Sequence, residues 1–190
     1  MSQLPAITQP EPVTNPAGGA TAAAPMAALM ADIVATHHAL LRRQIPRIEA
    51  ITADITRYGA AEGDDPALLE IRQLAGGLAA CVAQQLDREE QVLFPMLAKL
   101  EQQTEVSKCH AGMIRSRLMM AERDAARIRG VLARLRELAT ENLSPAGPCE
   151  ACHELLAVID EVLGDLREHT AKECEMLFPW AVAREAALAR

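Results

Sequence analysis

Lys172-Glu173-Cys174-Glu175-Met176-Leu177-Phe178-Pro179 has a near copy upstream, Arg88-Glu89-Glu90-Gln91-Val92-Leu93-Phe94-Pro95. Each runs basic residue, glutamate, three variable residues, then Leu-Phe-Pro. One helical turn before the glutamate the copies differ: His169 precedes Glu173, whereas Gln85 precedes Glu89. Residues four apart share a helix face and stand about 6 Å apart along the axis, so His169 and Glu173 can grip one cation together. Gln85 and Glu89 have the same spacing with a much weaker nitrogen-side partner. The pattern is that of a metal site from which one half has been removed.

Outward from the repeat, the chain divides into four long helical stretches. The first is predicted over roughly 27–58, with Pro46 removing a backbone donor inside it. A turn at Glu62-Gly63-Asp64-Asp65-Pro66 follows, with Asp65 as N-cap and Pro66 at the first helical position. The second helix is expected over roughly 66–101, with Gly76-Gly77 as a weak point suited to a close helix crossing. The third is expected over roughly 105–142, before the break Ser144-Pro145-Ala146-Gly147-Pro148, and the fourth over roughly 149–188. Residues 1–25 carry five prolines and no basic residue, and are expected to form a flexible tail ahead of a single domain over 26–190.

No strand pattern is present. Four helices of this length, joined by short connections, predict an all-α, antiparallel up-down-up-down four-helix bundle about 50 Å long. In that topology the second and fourth helices are parallel, so the repeat sets Glu89 and Glu173 at one depth. Buried carboxylates at the centre of a bundle are costly unless they are paired or bind a cation.

Composition narrows the function. A net charge of −7 argues against nucleic acid or an anionic membrane surface as partner. No apolar run reaches the ~18 residues of a membrane span. The N-terminus lacks the basic and apolar regions of a secretory signal, so the cytoplasm is the expected location. The five cysteines are then expected as thiols or metal ligands, not as a disulfide framework.

With His37-His38 on the first helix the chain resembles the hemerythrin-like proteins, and within them the di-iron repair-of-iron-centres family. The similar stretches are His38…Leu41-Arg42…Ile45-Pro46, Glu89-Glu90…Leu93-Phe94-Pro95, Met119-Met120-Ala121-Glu122, Ala151-Cys152, and His169…Glu173…Leu177-Phe178-Pro179. They fall in order on all four helices. The small cysteine-containing N-terminal domain typical of that family has no counterpart in the Pro/Ala-rich tail. The resemblance implies a hemerythrin-like bundle whose di-iron site uses one histidine per helix and two bridging glutamates. His38 and His169 match the first- and fourth-helix ligands, and Glu89 and Glu173 match the bridges. Gln85 replaces the second-helix histidine, and the third helix has Glu122-Arg123 where the family carries Glu-His.

Both losses fall on one iron of the pair. The expectation is therefore a single iron held by His38, His169 and one or both of Glu89 and Glu173, close to a two-histidine, one-carboxylate site. Arg123 is expected to turn its guanidinium into the second position and neutralise the carboxylates, with Gln85 bonding a carboxylate or a metal-bound water. His37 is expected to line the cavity or face solvent, since an aromatic is common at the matching family position. The implied role is a response to nitric oxide or oxidative stress, including iron-sulfur cluster repair, by iron delivery or by binding nitric oxide or dioxygen.

Two other readings compete. Cys149-Glu150-Ala151-Cys152-His153 spells a c-type haem attachment site or holds a redox-active or incidental cysteine pair, and a haem-binding sensor or electron carrier could use the same core with Met119 as a ligand. A metal-free interaction module would keep the fold and lose the chemistry. Cys81 and Cys174 are expected as small buried hydrophobes, Met113, Met119 and Met120 as core filler, and each Leu-Phe-Pro as an aromatic wedge and a bend. The apolar helix end from Ala181 to Leu188 offers a surface for a homodimer.

Overall fold

The structure, a computed structural model, describes residues 26–59, 65–102, 113–141 and 150–188, and every described residue except Asp65 is helical. The helices are α1 (26–59), α2 (66–102), α3 (Met113–Glu141) and α4 (150–188). The stretch predicted as a tail and Cys149 lie outside the described residues.

The apolar positions explain the packing. On α3, Ile114, Leu118, Ala121, Ala125, Ile128, Leu132 and Leu135 are buried at alternating steps of four and three, the spacing of a single inward stripe. Cross-helix contacts fix the directions. The backbone N–H groups of Met26 and Ala27, at the start of α1, donate to the Glu101 carboxylate near the end of α2 at 2.7 and 3.1 Å. Arg134, late in α3, bonds Glu70, early in α2. Asp32, early in α1, meets Lys172, late in α4. Each neighbour is antiparallel, and the main contacts join α1 to α2 and α4, and α3 to the same two. The described helices form the expected all-α four-helix bundle.

Helix starts follow the predicted chemistry where they are described. Asp65 caps α2 in extended backbone, its side chain accepting from the Ala67 N–H at 2.8 Å, with Pro66 behind it. Pro46 lies inside uninterrupted helix. The close crossing expected at Gly76-Gly77 is absent. Both glycines face outward, and a Cβ placed on either meets nothing within 4 Å, so no helix approaches there closely enough to need glycine.

Two apolar clusters divide the interior. One runs through Leu41, Ile48, Leu78, Leu86, Leu132, Ile159 and Leu166. The other gathers Met30, Ile33, Leu93, Phe94, Leu118, Leu177 and Phe178 at the opposite end. Between them lies a polar layer of His37, His38, Gln85, Glu89, His169 and Glu173, each at most 2% exposed.

Three helices change pitch at this layer. Val34–His38, Glu89–Leu93 and Lys172–Leu177 are wide π turns. The Phe94 N–H reaches the Glu89 carbonyl and the Phe178 N–H reaches the Glu173 carbonyl, each five residues back. The prolines that follow, Pro95 and Pro179, lack a donor for the ordinary four-residue bond, which loosens the ladder where the turn widens. The bend predicted at Leu-Phe-Pro takes this form, and such turns are frequent at functional sites. The π turn on α1 contains both His37 and His38, and both are buried.

Candidate metal centre

The parallel α2 and α4 do set the repeat at one depth. His169 Nε2 stands 3.8 Å from Glu89 Oε2 across the bundle and 3.5 Å from Glu173 Oε1 on its own helix. His38 Nε2, from α1, lies 3.0 Å from the same Glu89 oxygen. One ligand atom each from His38, Glu89 and His169 falls within 4.8 Å of the others. Neighbouring ligands of an octahedral ion with bonds of about 2.1 Å stand about 3 Å apart, so the spacing suits one small cation.

Hydrogen bonding points the same way. His38 Nε2, Glu89 Oε2, His169 Nε2 and Glu173 Oε1 are all buried without a hydrogen-bond partner. Buried polar atoms are rarely left so, and here four of them share one layer. The far side of His38 is well held. Nδ1 of His38 donates to Glu90 at 2.6 Å, and Arg42 clasps the same carboxylate at 2.7 and 2.8 Å. A carboxylate on the far nitrogen fixes the imidazole so that Nε2 presents its lone pair to a metal. Phe94, the wedge of the first Leu-Phe-Pro, lies nearly parallel to the His38 ring at 5.8 Å.

Burial between two apolar clusters governs the charges. It pushes the Glu173 carboxyl up to about 7, raises Glu89, and drags the His169 imidazole down to about 4. Burial also opposes the charged form of His38, but the Glu89 and Glu90 carboxylates outweigh it and hold that imidazole above the ordinary histidine range. Burial would raise Glu90 too, yet Arg42 and His38 keep it below the usual carboxylate value. A divalent cation answers the same need as the protons, because it neutralises two carboxylates and takes both imidazole lone pairs.

Arg123 does not perform that duty. Both Glu122 and Arg123 are exposed. The inward stripe of α3 passes through Ala121 and Ala125, and Arg123 lies two residues, about 200°, from Ala121. Among the described residues no lysine or arginine pairs with Glu89 or Glu173. What faces α2 at this level is Ala121. It borders a cavity of ≈ 20 Å³ with Gln85, Glu89, Leu93, Arg117 and Met120, room for about one water. Gln85 donates to Glu89 Oε1 at 2.8 Å, leaving its own oxygen without a partner. Arg88 and Asp124, paired across α2 and α3, border the same cavity.

His37 is neither solvent-facing nor a member of the converging set. It is 2% exposed, its Nδ1 bonds Asp165 at 2.7 Å, and its ring lies parallel to that of His169 at 5.4 Å. The haem motif stands elsewhere. Cys152 is buried and His153 exposed, and His153 precedes His169 by 16 residues on α4, about 24 Å of helix. Met119 is 57% and Met113 45% exposed, so neither is a core ligand, nor the core filler expected of them. Cys81 and Cys174 pack against the two apolar clusters but are only partly buried, not fully as expected.

Three residues in the layer escaped sequence reasoning as site residues. Glu90 and Asp165 hold the two α1 histidines, and Ala121 faces Gln85. Asp165 lies one turn before His169 and Glu90 directly follows Glu89, spacings that could have marked both.

Comparison with known proteins agrees with this geometry. Residues 29–181 match the hemerythrin HHE cation binding domain. The chain is 31% identical to the iron-sulfur cluster repair protein YtfE of Edwardsiella ictaluri (strain 93-146) over 84% of its own length and 67% of that protein's. It is 30% identical to the protein of the same name in Yersinia pseudotuberculosis serotype O:1b (strain IP 31758), over 85% and 68%. The Yersinia pestis (strain Pestoides F) protein gives the same figures. The chain thus spans about two thirds of these relatives. A bundle whose central layer gathers imidazoles and carboxylates from three helices, matched over that whole span, belongs to the hemerythrin HHE cation binding domain family.

Proposed function

We propose that this chain is a non-haem iron protein of the cytoplasm that holds a single iron ion between His38, Glu89 and His169. Glu173 serves as a fourth donor. The observation that carries this reading is the convergence of partnerless, buried ligand atoms from α1, α2 and α4 on one point. Two imidazoles with one carboxylate suit ferrous iron and leave coordination positions open. The iron, when bound, supplies redox chemistry and affinity for a diatomic gas.

The chain's own residues do the rest. Glu90 and Arg42 orient His38. The two apolar clusters exclude bulk water. Gln85 ties down one oxygen of Glu89 that a second ion would otherwise use, and Ala121 brings no donor to the second position. The relatives' name supports a role in repairing iron-sulfur clusters, by delivery of iron or by capture of nitric oxide under stress. Loading the purified chain with ferrous iron under anaerobic conditions tests the reading. A content of one iron per chain, with a new optical band on adding nitric oxide, is expected. Two irons with the absorption of an oxo-bridged pair contradict it.

A further inference from the structure

His37 and Asp165 form a second buried pair beside the centre, and neither belongs to the converging triad. His37 Nδ1 bonds Asp165 Oδ1 at 2.7 Å, while His37 Nε2 and Asp165 Oδ2 are buried with no partner. An imidazole braced by a carboxylate on one nitrogen and bare on the other is arranged to receive a metal ion. The position is also next to the site: His37 precedes the ligand His38, and its ring parallels that of the ligand His169 at 5.4 Å. Glu173 Oε1 and His169 Nε2, likewise partnerless, continue the line inward.

The seam between α1 and α4 reaches solvent at its acids: the Asp165 side chain is 13% exposed. Along it Asp32, 48% exposed, and Lys172, 29% exposed, pair at 2.6 Å across the two helices. Asp32 lies close enough to feel the charge of His37, and His169 that of Lys172. The seam thus carries acid and imidazole groups from surface to centre, crossed by one lysine.

We propose that His37 and Asp165 are an outer station for a divalent cation, through which iron enters and leaves the central site along the α1–α4 seam. This inference rests on the iron-binding reading. Acidic groups that focus a cation raise its association rate by about 10- to 1,000-fold, and a bare imidazole gives the ion a ligand before the inner set is complete. Lys172 opposes the approach, and its pairing with Asp32 acts as a latch.

Stopped-flow uptake of cobalt(II) by the full chain, freed of metal by chelation and followed by the cobalt optical band, tests the route. Replacing both members of the buried pair, H37F with D165L, leaves no unpaired polar atom behind. It should slow uptake by about tenfold, the low end of such focusing, with the final metal content and spectrum unchanged. Lys172→Ala, near the surface, should speed uptake. Arg88→Ala, over the opposite seam, should leave it unchanged. An indifferent double variant, a K172A chain that loads no faster, or faster loading in R88A overturns the route. Loss of the bound ion in the double variant also overturns it, by making His37 part of the inner set. A wild-type chain that takes up no metal sinks the iron reading itself, whereas normal loading that ignores His37 sinks only the station.

Discussion

The two sides of the polar layer are built from the same repeat yet have opposite character. On the α1–α4 side, His38 and His169 leave bare nitrogens beside carboxylate oxygens; Glu90 orients His38, and the His37 ring stacks on His169. On the α2–α3 side, Gln85 occupies the position equivalent to His169 and satisfies the nearest carboxylate oxygen with its own amide. Opposite it, Ala121 leaves space for a water and offers no ligand. One side leaves its ligand atoms bare; the other pairs its carboxylate oxygen with a neutral amide. On the proposed single-ion reading, an amide and a methyl group take the place of an internal arginine and add no buried charge of their own.

The largest effect should come from breaking the open side. His169→Ala removes one of three converging donors and should lower metal affinity by more than about 100-fold, beyond the 10–100-fold typical of losing an outer-shell partner. Isothermal titration with ferrous or cobaltous ion measures it. Rebuilding the closed side should matter nearly as much. The double variant Gln85→His with Ala121→His restores a nitrogen donor on each of α2 and α3 and should take up a second ion. The imidazole at 121 exceeds the cavity, so the metal-free variant should lose about 1–3 kcal/mol in denaturant unfolding.

Removing the metal from the unaltered chain sharpens the contrast through pH. Burial raises Glu173 to about 7 from the ordinary 4.5. Its contribution to metal-free stability is therefore full below about 4.5 and lost as pH rises through 7. The loaded chain needs the ionised carboxylate, so the gap in melting temperature between loaded and chelated protein should widen from pH 5 to pH 7.5. At a free metal concentration 100 times the Kd, the ion should add about 2.7 kcal/mol. A gap that narrows with pH contradicts the assignment of Glu173 to the layer.

Two smaller effects mark what lies outside the comparison. Gly76→Ala, on the exposed face of α2 with nothing near its Cβ, should stabilise the fold by about 0.5–1 kcal/mol without touching metal content. Arg123→Ala should change stability by less than about 0.5 kcal/mol and leave metal affinity unaltered.

The fold was legible because each helix carries its apolar residues at helical spacing and the described α2 start has its cap in sequence. The level of Glu89 and Glu173 was legible from the Leu-Phe-Pro repeat. Arg123 was misplaced because motif matching aligned Glu122-Arg123 with a ligand pair. The stripe Ile114, Leu118, Ala121, Ala125, Ile128 already turned residue 123 outward. The π turns were not legible, since a five-residue hydrogen bond depends on cross-helix packing as well as on Pro95 and Pro179. One of them holds His37 and His38, both buried. Asp165 and Glu90 were overlooked because a carboxylate that steers a histidine looks, in sequence, like any solvated acid.

Iron K-edge X-ray absorption on the ferrous-loaded full chain tests the single-ion centre most directly. The expected spectrum contains two imidazole shells with oxygen donors and no iron–iron vector. A second iron scatterer, at about 3.5–4 Å as in two-metal sites, would show that Gln85 and Ala121 do not close the other position.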